Sequence, residues 1–254
     1  MLQKRFFIQL SYNGTAYSGW QIQKNSPNTV QQVVNEMLSR LLNEPITVTG
    51  CGRTDTGVHA REYFAHFDTS REDLIENEGH WILKFNHALP KDIAIQRIIK
   101  VDEKANARYN AVKRTYEYII TKRKNPFEID KAYFLYGKLD VEMMNKAAAL
   151  LFAHSDFSAF AKSNTQNKTN ICTLYKAEWV EREDVIVFTI SANRFLRDMV
   201  RAIVGTTLEV GRGRMSLERF QEIINSKTRS EAGLSAPACG LYLIKIEYKE
   251  GSFL

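Results

Sequence analysis

Cysteine, clustered histidine and long apolar runs are all scarce in this 254-residue chain, and each scarcity excludes something. Its three cysteines, Cys51, Cys172 and Cys239, are odd in number and far apart. No pair has CxxC or metal-ligand spacing, which argues against a disulfide framework, a zinc ribbon or a redox dithiol. The five histidines (59, 66, 80, 87 and 154) form no His-x-x-x-His pair and no His/Cys cluster, so no metal site is expected. The longest apolar runs, such as residues 185–190, fall far short of the roughly 20 residues of a membrane span. The N-terminal MLQKRFFIQLSYNG has no secretory apolar region and alternates like a strand. The expectation is a cytoplasmic protein with no membrane attachment.

What is present is ordinary for a globular chain: 44% hydrophobic and 25% charged residues. The length suits one larger domain or two packed halves, with a core that needs no disulfide or metal. Arg and Lys number 35 against 29 acids, a net charge of +6. A modest basic surplus favours a polyanionic partner without proving one.

Periodicity predicts an α+β chain. Residues 6–12 alternate as a strand. In NTVQQVVNEMLSRLLNEP the residues Val30, Val33, Val34, Met37, Leu38, Leu41 and Leu42 make a helical stripe, entered after Pro27 and Asn28 and stopped before Pro45. ITVTGCG reads as a strand running into a polar loop, and a strand is expected over 63–68. Trp81, Phe85 and Leu89 mark a second helix, and DIAIQRIIKVD a strand. RTYEYIIT is then a strand with Tyr116, Tyr118 and Ile120 on one face. A helix follows with Val141, Met144, Ala148 and Leu151 inward. The segments 172–183 and 184–192 form a hairpin around Glu183 and Asp184. A long helix is expected from Phe195 to Val210, a short one over 217–224, and a closing strand in GLYLIKIEY. The seam between an N-terminal half (1–105) and a C-terminal half (106–254) is placed near residues 100–110, with two helices to each half.

Three stretches carry candidate chemistry. The first is CGRTDTGVHA (51–60), where Gly52 and Gly57 permit tight turning and close approach of a ligand. Arg53 stands two residues before Asp55, and a nearby cation favours the ionised carboxylate, the form able to act as nucleophile or base. The same residue types also make an ordinary Asx turn, and residue types alone leave both readings open. A phosphate-binding P-loop fails, because Val58 and His59 stand where Lys and Ser/Thr are required. A metal site on Asp55 and His59 lacks further ligands, and nothing selects the second carboxylate of a glycosidase pair. The second stretch is ANARYNAVKRTYEYII, where Arg108, Lys113 and Arg114 interleave with Tyr109, Tyr116 and Tyr118. Cations beside rings suit single-stranded nucleic acid, although sheet-core packing claims at least one of Tyr116 and Tyr118. The third is SANRFLRDMVRAIVG, in which Arg194, Arg197 and Arg201 have helical spacing and would form a basic stripe, followed by Arg212 and Arg214. A charge stripe is usually a solvated face, but arginine is also suited to bidentate phosphate contacts.

GRTDTGVHA strongly resembles the catalytic motif of the TruA family of tRNA pseudouridine synthases. The resemblance continues in family order through YNGTAYSGWQIQ, TVQQVVNEML, AR and RTYEY, DFSAF, FLRDMVRAIVG and APACGLYL, over nearly the whole chain. It implies the pseudouridine synthase fold: two α/β halves around a central, mainly antiparallel sheet, with a basic cleft between them. It also implies isomerisation of uridine at positions 38, 39 and 40 in the anticodon stem-loop of tRNA by a homodimer, without cofactor or metal. Asp55 matches the catalytic nucleophile, and Arg53 the motif arginine that pairs with it. Tyr116 matches the aromatic on the target base, Arg201 an active-site arginine, and Leu241 a hydrophobic pocket residue. Ala105, Asn106, Ala107, Arg108 and Tyr109 match an RNA-contacting stretch, and 163–169 a second. Arg194 and Arg197 are expected to hold RNA backbone. The chain departs from the family at Asn170, where an arginine is frequent, and at Arg194, where a smaller residue is common. The competing readings are a non-catalytic RNA-binding protein and a synthase for another RNA. Asp55 discriminates against the pure binder, which has no use for a carboxylate facing phosphates.

Overall fold

The computed structural model describes residues 3–24, 26, 28–71, 73–163, 169–249 and 251–252. The fold is mixed α+β, with mainly antiparallel strands and five α-helices among the described residues. The chain divides into two compact units, residues 1–112 with 243–254, and residues 113–242. The expected seam at 105/106 kept everything after it in one half. The units instead change over inside two strands, so the C-terminal strand belongs with the N-terminal residues.

In the first unit, β1 (Lys4–Tyr12) pairs antiparallel with both β3 (His59–Thr69) and β4 (Ile93–Lys100). The strand order is β4-β1-β3-β9, with β9 spanning Leu241–Tyr248. In the register, Phe7 faces His66 on one side and Ile99 on the other. Helix α1 (Val30–Leu42) forms where the apolar stripe predicts, burying Val30, Val34, Met37, Leu38 and Leu42. The Thr29 side chain caps its first turn by accepting from the Gln32 N–H, a device worth about 1 kcal/mol. Asn43 in the left-handed conformation ends it. Helix α2 (Glu78–Ala88) packs through Trp81 and Phe85.

The expected strand ITVTGCG shrinks to a two-residue β2 (Thr49–Gly50) on β3. Side chains of α1 take the backbone groups a ladder would have used. Ser39 Oγ accepts from Ile46 N–H, Asn35 Oδ1 accepts from Val48 N–H, and Gln31 Nε2 donates to Val48 O. With those groups satisfied, residues 46–48 need no partner strand.

The second unit holds β5 (Ala111–Thr121, divided between the units after Val112), β7 (Leu174–Arg182) and β8 (Val185–Ala192) in the order β5-β8-β7, with a short β6 (Tyr133–Phe134) parallel to β5. The β7–β8 hairpin turns at Glu183, whose φ is 47°. Three helices serve this unit, matching the three helical segments expected there rather than the count of two to each half: α3 (Val141–Leu150), α4 (Met199–Gly211) and α5 (Leu217–Ser226). Helix α4 is buried nearly all round. Its Thr206 and Thr207 hydroxyls avoid an unpaired burial by donating to the Ala202 and Ile203 carbonyls. Among the described residues no helix is long and apolar enough to cross a membrane.

The predicted helix over 195–210 begins only at Met199. Asp198 stands before it with φ 68°, a left-handed conformation that breaks any continuous helical path from residue 195. Arg194 and Arg197 therefore lie on the non-helical approach, and the expected Arg194–Arg197–Arg201 stripe along one helix face does not exist.

Candidate active site

In the first unit, β2 ends at Gly50 and β3 begins at His59; the polar motif is the loop between them. Its apolar residues go inward: Cys51, Val58 and Ala60 are buried. So is His59, whose Nδ1 accepts from the Gly14 N–H at 3.1 Å, a structural use of that ring. The chain then alternates. Thr54 is 8% exposed, while Arg53 is exposed and Asp55 half-buried. Residues 53 and 55 are turned outward because residue 54 is held inward.

Backbone contacts fix the loop on both sides of Asp55. The Thr54 carbonyl accepts from Trp20 N–H at 3.3 Å, and the Asp55 carbonyl accepts from Val58 N–H at 3.1 Å. Gly57, at φ 79°, closes the turn and donates to the Tyr17 carbonyl. Gly52 has open space where its Cβ would be and needs no glycine on packing grounds. Beneath lies an aromatic floor of Tyr12, Trp20 and Tyr63, the last two with ring centroids 4.1 Å apart. The Tyr63 hydroxyl donates to Gly52 O at 2.5 Å, and the Tyr12 hydroxyl lies 2.9 Å from Thr54 Oγ1. Sequence reasoning missed this floor. Its signal was the aromatic content of YNGTAYSGW together with Tyr63, both of which read equally well as core.

Also in the first unit, residues 105–109 form a tightly tied loop. Asn106 Oδ1 accepts from the Arg108 and Tyr109 amides, Arg5 donates to Ala105 O, and Tyr248 donates to Ala107 O. The Ala107 N–H donates to His66 Nδ1 at 3.1 Å, which requires that nitrogen to be unprotonated. Burial and the nearby Arg5 cation push the His66 pKa down to about 4. Ala107 is buried by these ties, whereas Arg108 and Tyr109 project outward, Tyr109 79% exposed with the Arg108 guanidinium 5.6 Å from its ring centroid. An exposed ring beside a cation is the material for stacking and phosphate contact.

In the second unit Tyr116 sits mid-β5, opposite Ile190 of β8 and half-buried. Its ring meets Phe195 edge-on at 5.1 Å. Tyr118, on the same face, is the core member of the pair: fully buried, its hydroxyl donating to Pro237 O at 2.8 Å. Burial pushes the Tyr118 phenol well above the ordinary range. Arg201, in the first turn of α4, donates through Nε to Ala236 O at 2.7 Å and pairs with Asp198 at 3.2 Å. Asp198 also accepts from Ser235 and lies 3.6 Å from Arg229. Arg229 in turn holds Gly233 O and Ser235 Oγ. Residues 229–236 thus form a strap over α4. Gly205 admits it, since a Cβ there would overlap the Leu234 carbonyl oxygen. Leu241, first residue of β9, is buried. Arg194 is half-buried and Arg197 exposed. Asp198, Arg229 and Phe195 were not anticipated. The basic run Lys122, Arg123 and Lys124 is partly neutralised by Lys122–Glu181 and Arg123–Asp184 pairs. The second expected RNA-contacting stretch, 163–169, lies largely outside the described residues.

The candidate residues thus fall into two sets, with Arg53, Asp55 and 105–109 in the first unit, and Tyr116, Arg194, Arg197, Arg201 and Leu241 in the second. Among the described residues no group of three His, Cys, Asp or Glu could hold a metal ion.

Comparison with known proteins gives consistent findings. A family model described as tRNA pseudouridine synthase matches residues 9–110 and 147–249. The chain is 47% identical over 250 residues to a protein of Parabacteroides distasonis named tRNA pseudouridine synthase A, with 98% of each chain covered. To the protein of that name in Bacteroides thetaiotaomicron it is 48% identical over 253 residues, covering 98% of this chain and 93% of the other. To that of Francisella tularensis subsp. novicida it is 37% identical over 252 residues, covering 98% and 96%.

Proposed function

The chain belongs to the tRNA pseudouridine synthase family, and we propose that it isomerises uridine to pseudouridine at positions 38, 39 and 40 in the anticodon stem-loop of tRNA, with Asp55 as the catalytic carboxylate. The observation carrying this reading is the loop that pins the backbone on both sides of Asp55 while leaving its side chain only half-buried. A carboxylate so placed in a basic protein is poorly explained by RNA binding alone.

The net reaction breaks the C1′–N1 bond and forms a C1′–C5 bond. N1 gains a hydrogen, C5 loses one, and no atom enters or leaves. The base must leave the stack to be reached, at roughly a few kcal/mol. It must also be held while detached, so water and escape must be excluded. Asp55 acts on the nucleotide by one of three routes: attack on C1′, removal of the neighbouring sugar proton to give a glycal, or attack on C6 of the base. Arg53 serves as the motif arginine that pairs with Asp55, and Arg201 as an active-site arginine. Tyr116 stacks on the uracil ring and is the residue assigned to removal of the C5 proton, a step that needs its phenol oxygen in the deprotonated form. Leu241 supplies apolar lining.

Arg108 and Tyr109 contact the RNA, the former at phosphate and the latter by stacking, and residues 105–107 support them. Arg194 and Arg197 serve as separate phosphate contacts from a non-helical segment. No cofactor or metal has a role in this chemistry. The protein acts as a cytoplasmic homodimer on tRNA. The direct test is to incubate it with unmodified tRNA transcripts and map pseudouridine. Modification confined to positions 38–40 supports the reading; modification elsewhere, or none, refutes it.

A further inference from the structure

Besides His59, whose ring accepts from the Gly14 N–H, the Cys51–Ala60 loop buries a polar side chain that the reaction does not explain. Thr54 is 8% exposed and sits over the aromatic floor, where a valine of the same shape would fill the space. Its hydroxyl instead meets the hydroxyl of Tyr12, 4% exposed, at 2.9 Å. Tyr12 is the last residue of β1 and is held in register against Ala60 of β3 and Ile93 of β4. The sheet therefore reaches the residue preceding Asp55 through this hydrogen bond. A second restraint on that residue is the Trp20 N–H to the Thr54 carbonyl, at 3.3 Å.

Resting on the reading that Asp55 is the catalytic carboxylate, we propose that the Tyr12–Thr54 hydrogen bond is a positioning contact that sets where the Asp55 carboxylate stands against the ribose. The side chain of Thr54 fixes the rotation of the loop about its own Cα. Asp55 follows directly, with its carbonyl already engaged by Val58. Between the Thr54 side chain and Asp55 stands the longer Trp20 hydrogen bond to the Thr54 carbonyl, so rotation freed at residue 54 is passed in part to the Asp55 side chain. Neither Tyr12 nor Thr54 touches the substrate in this scheme, so their loss spares tRNA binding and falls on the chemical step. A misplacement near 1 Å costs on the order of 100-fold in such a step.

The test uses Tyr12→Phe, Thr54→Val, the double variant, Thr54→Ser and Asp55→Asn in the full-length protein. Each is assayed for single-turnover pseudouridine formation and tRNA affinity, with a thermal melt as the fold control. The expected result is a kcat loss of about 10- to 100-fold in Tyr12→Phe and Thr54→Val with tRNA Kd held within about twofold. The double variant should lose no more than the worse single one, because both remove the same contact. Thr54→Ser, which keeps the hydroxyl, should recover most of the rate. Wild-type kcat in Tyr12→Phe, or losses that multiply in the double variant, would overturn the proposal. So would a loss appearing in Kd alone. Should Thr54→Val not fold, Tyr12→Phe and Thr54→Ser still decide between these outcomes. The Asp55→Asn arm separates the two claims. If it turns over normally the catalytic reading is lost, and if it is inactive while Tyr12→Phe is fully active only the positioning contact is lost.

Discussion

His66 makes the 105–109 loop of the first unit sensitive to acid. Its Nδ1 accepts from the Ala107 N–H, it is 6% exposed, and its ring lies 5.9 Å from that of Phe7. Desolvation dominates its pKa and the Arg5 cation adds to the lowering, while Asp68 opposes it weakly, giving a native value of about 4. The unfolded chain binds this proton near the ordinary value of about 6.5. Stability from His66 is therefore fully present above pH 6.5 and is lost as pH falls through the window down to about 4, because only the unfolded state takes up the proton there. At pH 5 the loss relative to pH 7.5 comes to about 2 kcal/mol. Asp68, held below the usual carboxylate range by its Arg5 hydrogen bonds, loses its contribution only below this window. Urea unfolding at pH 7.5 and 5.0 measures the effect in the wild type and in His66→Asn, whose side-chain oxygen can replace Nδ1 as acceptor but does not titrate. The wild type should lose about 2 kcal/mol more than the variant between the two pH values. Equal losses in the two proteins would refute the buried, neutral His66.

The remaining predictions concern the strap and the exposed Arg108 and Tyr109, proposed to contact RNA. Gly205→Ala should displace residues 233–236 and lower stability by about 1–3 kcal/mol with a parallel loss of turnover, since overlap with the Leu234 carbonyl leaves no room for the methyl; a thermal melt near wild type contradicts this. Asp198→Asn keeps a residue tolerant of positive φ but removes the charge that holds Arg201 and Arg229. It should lower kcat more than stability, and unchanged kcat would show that Arg201 needs no such partner. Arg108→Ala should weaken tRNA binding and reduce the salt slope of log K by about one, whereas Tyr109→Ala should weaken binding with the slope unchanged. Identical slopes for wild type and Arg108→Ala would remove Arg108 from the phosphate contacts.

How far the sequence could be read depended on the range over which each feature is determined. Helix α1 and the β7–β8 hairpin carry their own stripe, cap or turn, so residues 30–42 and 174–192 could be placed from local pattern. The strand expected over 46–52 could not, because its alternation is real but Asn35, Ser39 and Gln31 of the preceding helix take its hydrogen bonds. The Arg194–Arg201 stripe failed for a related reason. Spacing of three and four implies a common face only if the backbone is helical throughout, and Asp198 at φ 68° interrupts it. At the site, the Asp55 motif was visible as a compact run of functional residue types. Its support was not visible, since Tyr12 and Trp20 come from one stretch and Tyr63 from another, and each reads as core. The support of Arg201 was hidden likewise, because Ala236, whose carbonyl accepts from it, and Ser235 and Arg229, which hold its partner Asp198, lie about 30 residues downstream and arrive only through the folded strap.

The central claim is that an oxygen of the Asp55 carboxylate acts on the nucleotide. Asp55→Asn changes that carboxylate to an amide of nearly the same shape, so single-turnover pseudouridine formation on tRNA, measured beside tRNA affinity, tests it most directly. The account predicts no detectable pseudouridine with affinity at or above that of the wild type; near-normal turnover in Asp55→Asn would contradict it.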